Sequence, residues 1–268
     1  MNDVELIVRR ALEEDIGTGD VTSAACVPQG RRASGRFLGR QHFILAGTEV
    51  LSLMFEELRL FKKDGDTVSD GEIFAEVHGP ARHLLERERT SLNFLQRLSG
   101  VATLARAFAD QVKGTRCKVL DTRKTTPGLR ILEKRAAAAG GVTNHRMGLY
   151  DAILIKNNHI SAAGGVRQAV ENARASSNLP VEIEVRTKKE LEEALEAGAP
   201  KLLIDNLSPE EAEAWIKEIK GRATVEISGR VNLDTIRAYA LTGADYVSAG
   251  AITHSAPAVD ISFRLELL

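Results

Sequence analysis

With 268 residues, 43% of them hydrophobic and 27% charged, the chain can bury a core as one large domain or two smaller ones, without disulfides or metals. A formal net charge of -1 excludes a general attraction to nucleic acid or to an anionic membrane, and no apolar run is long enough to span a bilayer. Cys26 and Cys117 stand too far apart in sequence to suggest a disulfide framework or a zinc site, so a cytoplasmic location is expected.

In chain order, Met1 to Asp15 places Val4, Leu6, Ile7, Ala11 and Leu12 between charges, which predicts an amphipathic helix rather than a secretory leader. Gly17-Thr18-Gly19-Asp20 predicts a turn. Strand-like runs follow at Gly35 to Leu38, Phe43 to Leu45 and Ile73 to Val77, the last after the turn-rich Lys63 to Asp66. The stretch from Gly65 to Ile73 has no lysine at a hairpin tip, so it is an ordinary strand–turn–strand rather than a biotinyl or lipoyl carrier. A long helix is predicted from about Arg82 to Val112, with Leu85, Leu92, Leu95, Leu98, Ala102 and Ala105 along its apolar face. Arg89 lies four residues after Leu85 and three before Leu92, so it is expected on that face, where a charge needs a partner. Glu86 and Glu88 are the local possibilities. Residues 1–115 thus form a small α+β domain.

From Lys118 the pattern repeats. Strands are predicted at Lys118 to Leu120, Ala152 to Ile155, Val181 to Val185, Leu202 to Ile204, Val225 to Ile227 and Tyr246 to Ser248. Helical patterns lie between them, as at Lys188 to Ala197, Pro209 to Ile219 and Leu233 to Leu241. Ser208 with Pro209 is a helix start, and Gly198 and Gly243 are helix stops. Such βα units predict a parallel sheet closing toward a barrel over residues 116–268. An open doubly wound sheet also fits, although no dinucleotide fingerprint or P-loop supports it.

Barrel enzymes carry their chemistry at the C-terminal ends of the strands. Here those ends offer Asp121-Thr122-Arg123-Lys124, Lys156-Asn157-Asn158-His159, Glu184, Asp205-Asn206, Ser228-Gly229-Arg230 and Ser248-Ala249-Gly250, with Asn144-His145-Arg146 in a preceding loop. Arg123, Lys124, Arg146 and Lys156 cannot share one mouth cheaply unless anions neutralise them. Glu184 and Asp205 supply only part of that, which points to a polyanionic substrate, with the two carboxylates binding a divalent cation beside it. Gly229 and Gly250 would let backbone N–H groups approach phosphate oxygens. Glu182 shares a strand face with Glu184 and serves equally well as a structural charge inside the barrel or as a ligand. His159 has a bland alternative as a helix-start residue.

The residues at these positions, with Glu14 to Thr22, Glu88 to Thr103, Asp121 to Gly128, Asn144 to Asp151, Leu154 to Ile160 and Gly250 to Ser255, resemble the quinolinate phosphoribosyltransferase family, in the family's order. That resemblance implies an α/β fold: an N-terminal α/β sandwich-like domain plus an incomplete parallel βα barrel, the last residues being free to return to the N-terminal domain. It implies transfer of phosphoribosyl from phosphoribosyl pyrophosphate to quinolinate with loss of carbon dioxide, giving nicotinate mononucleotide in NAD biosynthesis. Mg²⁺ is implied as cofactor, on Glu184 and Asp205. Lys124, Lys156, Glu184 and Asp205 are the implied catalytic residues. Substrate binding would fall to these with Arg89, Thr122, Arg123, His145, Arg146, Ser228, Gly229, Ser248 and Gly250. The family is at least dimeric, and Arg89 would act in the neighbouring subunit's site. Two departures stand out: the glycine run before Asn144 is shortened to Gly140-Gly141-Val142-Thr143, and Arg230 stands where Ser-Gly-Gly is usual. On residue chemistry alone, a barrel aldolase with Lys156 as Schiff-base residue is the nearest rival, and a paralogous phosphoribosyltransferase with another acceptor is a second.

Overall fold

The computed structural model describes residues 3–268, so Met1 and Asn2 of the predicted first helix lie outside the described residues. Two compact units emerge. The first comprises residues up to Arg106 together with Thr125–Gly141 and Ile252–Leu268; the second comprises Ala107–Lys124 and Val142–Ala251.

In the first unit, α1 (Asp3–Ile16) is followed by the predicted turn, with Gly17 and Gly19 at positive φ. Asp20 then caps α2 (Val21–Cys26), its Oδ1 accepting the N–H groups of Thr22 and Ser23 at 3.0 Å. The unit's main sheet is antiparallel, in the order β12 (Ile261–Leu267), β1 (Arg32–Gly39), β5 (Ile73–Pro80), β3 (Glu57–Leu60). Phe37 lies at its centre with no exposure, its ring 4.9 Å from that of Phe263 and within 6.2 Å of those of Phe55 and Phe74. Gly35 is obligatory at this crossing, because a Cβ there would stand 2.0 Å from the Phe263 ring. A short pair, β2 (Phe43–Ile44) with β4 (Thr67–Val68), and α3 (Thr48–Met54) complete this layer.

The predicted long helix is α4 (Ala81–Gln111). Its buried seam runs through Leu84, then seven residues on through Ser91, Leu95, Leu98, Ala102 and Ala105 in steps of four and three, with Leu92 beside it. Leu85 is only half-buried and Arg89 is exposed, which corrects the expectation that Arg89 lies on the apolar face. The seam is centred one residue earlier than Leu85 suggested, so Arg89 falls on the flank. Glu86 pairs with Arg87 at 2.9 Å rather than with Arg89. The unit also holds α5 (Arg130–Ala139).

The second unit contains the six predicted parallel strands: β6 (Lys118–Leu120), β7 (Ile153–Ile155), β8 (Val181–Val185), β9 (Lys201–Asp205), β10 (Thr224–Ser228) and β11 (Tyr246–Ser248). Their order is β6-β11-β10-β9-β8-β7, an incomplete βα barrel extended by a parallel bridge from Leu120 to Thr143. The helices are α6 (Asn157–Ala163), α7 (Val166–Ser176), α8 (Lys188–Glu196), α9 (Pro209–Ile219) and α10 (Ile236–Leu241). Ser208 and Glu211 form a reciprocal cap on α9, each side chain accepting the other's backbone N–H, with Pro209 in the first turn. Gly198 and Gly243 follow their helices at φ 74 and 93.

Strand alternation sorts the residues by face. Ile155, Ile183, Val185, Leu202, Ile204 and Val225 pack outward against Val170, Leu191, Trp215 and Ile219 of the helices. Their alternates, Glu182, Glu184, Lys201, Asp205, Glu226 and Ser228, therefore face the barrel interior. Among the described residues no helix is long and apolar enough to cross a membrane.

Candidate active site

At the C-terminal ends of the strands the barrel gathers Lys156, Glu184, Asp205 and Ser228. Lys156 follows β7, and its Nζ lies 3.3 Å from Glu184 Oε2. An ammonium held by a carboxylate is a binding group rather than a nucleophilic amine, which disfavours the aldolase alternative. Asp205 Oδ2 accepts Asn206 Nδ2 at 2.5 Å. Burial, then the charge of Glu184, raises the Asp205 carboxyl above its usual range, and Lys156 with hydrogen bonds from Asn206 and Ser228 only partly offsets them. Gly229 makes this packing possible: at φ 90, a Cβ there would stand 2.3 Å from Asn206 Oδ1. Asn206 and Arg230 themselves adopt left-handed backbone, φ 61 and 56, and Arg230 is exposed. Ser248 is buried at the end of β11, and Gly250 follows it.

The cationic side is built around Asp121. It is fully buried after β6 and accepts His145 N at 2.8 Å and Asn144 Nδ2 at 2.6 Å, so one carboxylate fixes the start of the 144–151 loop. Asp151 fixes the far end by accepting the N–H groups of Met147 and Gly148. Between them Arg146 donates to Ala152 O at 3.1 Å. Burial, then the neighbouring charge of Arg123, lowers the Arg146 guanidinium's affinity for its proton, against Asp151 and Glu182. Two guanidinia this close call for an anion between them. Thr122 Oγ1 accepts Lys124 N at 3.1 Å, which shapes the turn that presents Lys124.

His145 lies deeper. Its Nε2 is 3.2 Å from Glu182 and 3.3 Å from Glu226, and Lys201 Nζ is 3.2 Å from Glu182 and 2.6 Å from Glu226. Burial opposes a charged ring at His145, but hydrogen bonds to Glu182 and Glu226 outweigh it and raise the pKa to about 9. The Arg146 backbone N, 2.7 Å from Nδ1, favours the neutral ring; the hydrogen bonds and charges of Glu182 and Glu226 at Nε2 outweigh one neutral amide. His145, Glu182 and Glu226 could also enclose a metal ion, yet Lys201 contacts both acids and, together with a protonated His145, already balances their charge. His145, Glu182 and Lys201, with Arg146, border a cavity of about 430 Å³ whose lining includes Pro180, Pro200, Thr224 and Tyr246, at the opposite, N-terminal ends of the strands.

Sequence reading nominated Glu182 without deciding its role and missed Lys201 and Glu226. Period-two alternation along β9 and β10 was the signal that could have found both. His159 acts at the start of α6, its Nδ1 accepting Lys156 N at 2.9 Å. Arg89 is exposed on α4 of the first unit.

Parallel strands ending in guanidinia, an ammonium and a pair of acids define a βα-barrel enzyme for polyanionic substrates. The match to known families is specific: residues 20–99 fit the quinolinate phosphoribosyl transferase N-terminal domain and residues 101–264 its C-terminal domain. The chain is 40% identical over 277 residues to a probable nicotinate-nucleotide pyrophosphorylase (carboxylating) of Bacillus subtilis, covering 100% of this chain and 96% of that one. It is 39% identical over 291 residues to quinolinate phosphoribosyltransferase (decarboxylating) 1b of Nicotiana tabacum, covering 98% and 83%. The solved nicotinate-nucleotide pyrophosphorylase from Francisella tularensis superposes with a TM-score of 0.94 at 36% identity, over 98% of this chain and 96% of that one. The chain belongs to the quinolinate phosphoribosyltransferase family.

Proposed function

We propose that the enzyme transfers phosphoribosyl from phosphoribosyl pyrophosphate to quinolinate and decarboxylates the product to nicotinate mononucleotide, in the cytoplasm. The observation that carries this is the pairing of Arg123 with Arg146, two like charges that suit a dicarboxylate. Arg123 and Arg146 clamp the carboxylates of quinolinate, with His145 fixing Arg146 from below. Lys124 meets phosphate and Lys156 meets both substrates. Glu184 and Asp205 bind the ribose hydroxyls, and Ser228, Gly229, Ser248 and Gly250 offer backbone and hydroxyl contacts to phosphate, with Thr122 supporting Lys124. The pyridine nitrogen bonds to the anomeric carbon as its bond to pyrophosphate breaks, through an oxocarbenium-like transition state. No protein nucleophile is needed; the residues position the reactants and stabilise charge. The positively charged ring nitrogen then stabilises the electron pair left on the neighbouring ring carbon as its carboxylate departs as carbon dioxide, and that pair takes up a proton from water.

The acid pair fits a divalent cation. Glu184 raises its neighbour Asp205 while Lys156 supplies one positive charge, so the pair retains negative charge that oxygen-seeking Mg²⁺ would match. When bound, Mg²⁺ supplies charge neutralisation for the leaving pyrophosphate. Assays with phosphoribosyl pyrophosphate and either quinolinate or nicotinate test the assignment: carbon dioxide released with quinolinate supports it, and preferential turnover of nicotinate transfers the chain to the paralogous reading. Full activity in excess chelator would remove the metal.

Exposed Arg89 fits a role in the neighbouring subunit of a homodimer: its charge favours ionisation of the local Glu88, but burial still holds that carboxyl above its usual range, so Glu88 is a weak partner. Mixing Arg89→Ala with Lys156→Ala subunits under verified exchange should restore activity if sites are shared, because one hybrid site then carries neither defect. No recovery would return each site to a single chain.

A further inference from the structure

The Glu133 carboxylate has no solvent exposure and takes no part in the steps above. It lies in the first turns of α5. Its Oε1 accepts Nε and Nη2 of Arg97 at 3.0 and 2.8 Å and the Thr126 hydroxyl at 2.7 Å; its Oε2 accepts Thr126 N at 2.9 Å. Arg97, on α4, spends its remaining donors on main-chain oxygens: Nη1 donates to Ala256 O at 2.8 Å and Nη2 to Thr253 O. One carboxylate and one guanidinium thus hold a stretch of loop at Thr126 and the segment from Thr253 to Ala256. A buried ion pair stabilises a fold little more than apolar residues of the same size would, whereas its directional bonds fix geometry.

The two clamped stretches have something in common. Thr126 is two residues beyond Lys124, and Thr253 is three residues beyond Gly250. Arg123, by contrast, emerges just after Asp121, which the 144–145 backbone and side chain anchor separately.

We propose that Glu133 and Arg97 are positioning residues for the phosphoribosyl half of the reaction, holding Thr126 and Thr253 so that Lys124 and Gly250 meet phosphate. This rests on the assignment of Lys124 and Gly250 to phosphate made above. Glu133→Gln keeps the shape and removes the charge, and misplacement of a binding group by about 1 Å costs on the order of 100-fold. The variant is expected to raise the KM for phosphoribosyl pyrophosphate by about 10- to 100-fold, while the Kd for quinolinate, measured by equilibrium titration, stays within about twofold of wild type. Thr126→Val leaves the Arg97–Glu133 pair intact and should move the same KM in the same direction by a smaller factor, which keeps the test available if Glu133→Gln does not fold. A lowered melting temperature with unchanged KM, or equal weakening of both substrates, would overturn the proposal. Lys124→Ala is the control: if it leaves the phosphoribosyl pyrophosphate KM unchanged, the phosphate assignment fails; if it raises that KM and neither other variant does, the positioning role fails.

Discussion

Two tiers of charge line the barrel interior, one on either side of the two-residue step from Glu182 to Glu184 on β8, and they are balanced differently. In the deeper tier His145 and Lys201 face Glu182 and Glu226 at 2.6–3.3 Å. There the partners favour charge: His145 and Lys201 hold their protons more tightly than usual, and Glu226 is drawn down to about 2 against its own burial. Glu182 is the exception, pushed up by burial and by Glu226. At the C-terminal ends burial wins over partners, and Asp205 is raised; Arg146, which borders the cavity at the opposite ends, is likewise made less willing to be charged, by burial and by Arg123. The deeper tier is completed by the protein; on the proposed function, the upper one is left for the substrates to complete.

The largest expected effect comes from breaking the deeper tier. Lys201→Met leaves Glu182 and Glu226 facing His145 alone and should cost about 3–5 kcal/mol of stability, read from urea unfolding, as removal of one partner from a buried pair does. A loss below about 1 kcal/mol would mean that the tier is solvated, as exposed pairs are.

On the clamp assignment, Arg123→Ala and Arg146→Ala should each weaken quinolinate binding by about 2–5 kcal/mol, by equilibrium titration, while unfolding midpoints stay near wild type because each substitution also removes a repulsion. Unchanged quinolinate affinity would take these arginines out of the clamp.

The pH profile sharpens the contrast. The folded pKa of His145 lies above its unfolded value, so its contribution is complete below about 6.5 and is lost as pH rises toward 9. Glu226 is depressed, so its contribution is present above about 4.5 and is lost as pH falls toward 2. Denaturant midpoints across pH should show both limbs, and His145→Gln should flatten the alkaline one. An unaltered alkaline limb would assign it to other groups.

The smallest effect concerns the left-handed backbone at Arg230, φ 56. Side chains lose about 1–2 kcal/mol there, and glycine returns up to about 1 kcal/mol through the unfolded chain. Arg230→Gly should therefore stabilise by about 1 kcal/mol or less, measured by unfolding; a clear loss would show that the guanidinium is held by the fold.

The six strands of the barrel and the helices between them were legible because each βα unit carries its own period and its own stops, as at Ser208-Pro209 and Gly198. Less local elements were not. Strand β12 alternates cleanly from Ile261 to Leu267, but only its pairing with β1 shows where that alternation is used. Arg89 was misplaced because half-buried Leu85 was taken as the seam in place of Leu84. Lys201, Glu226, Arg97 and Glu133 escaped because a charge in a strand or helix looks solvated until its partners, 25 to 36 residues away, are brought beside it.

The most direct test is the melting temperature of Asp205→Asn against wild type, with and without phosphoribosyl pyrophosphate and Mg²⁺. If the upper tier is completed by its ligands, the ligand-free variant should melt as high as wild type or higher, since it no longer buries an acid that resists ionisation, and the ligands should raise wild type but not the variant. A variant that melts well below wild type without ligand, yet keeps the full ligand-induced rise, would contradict the account.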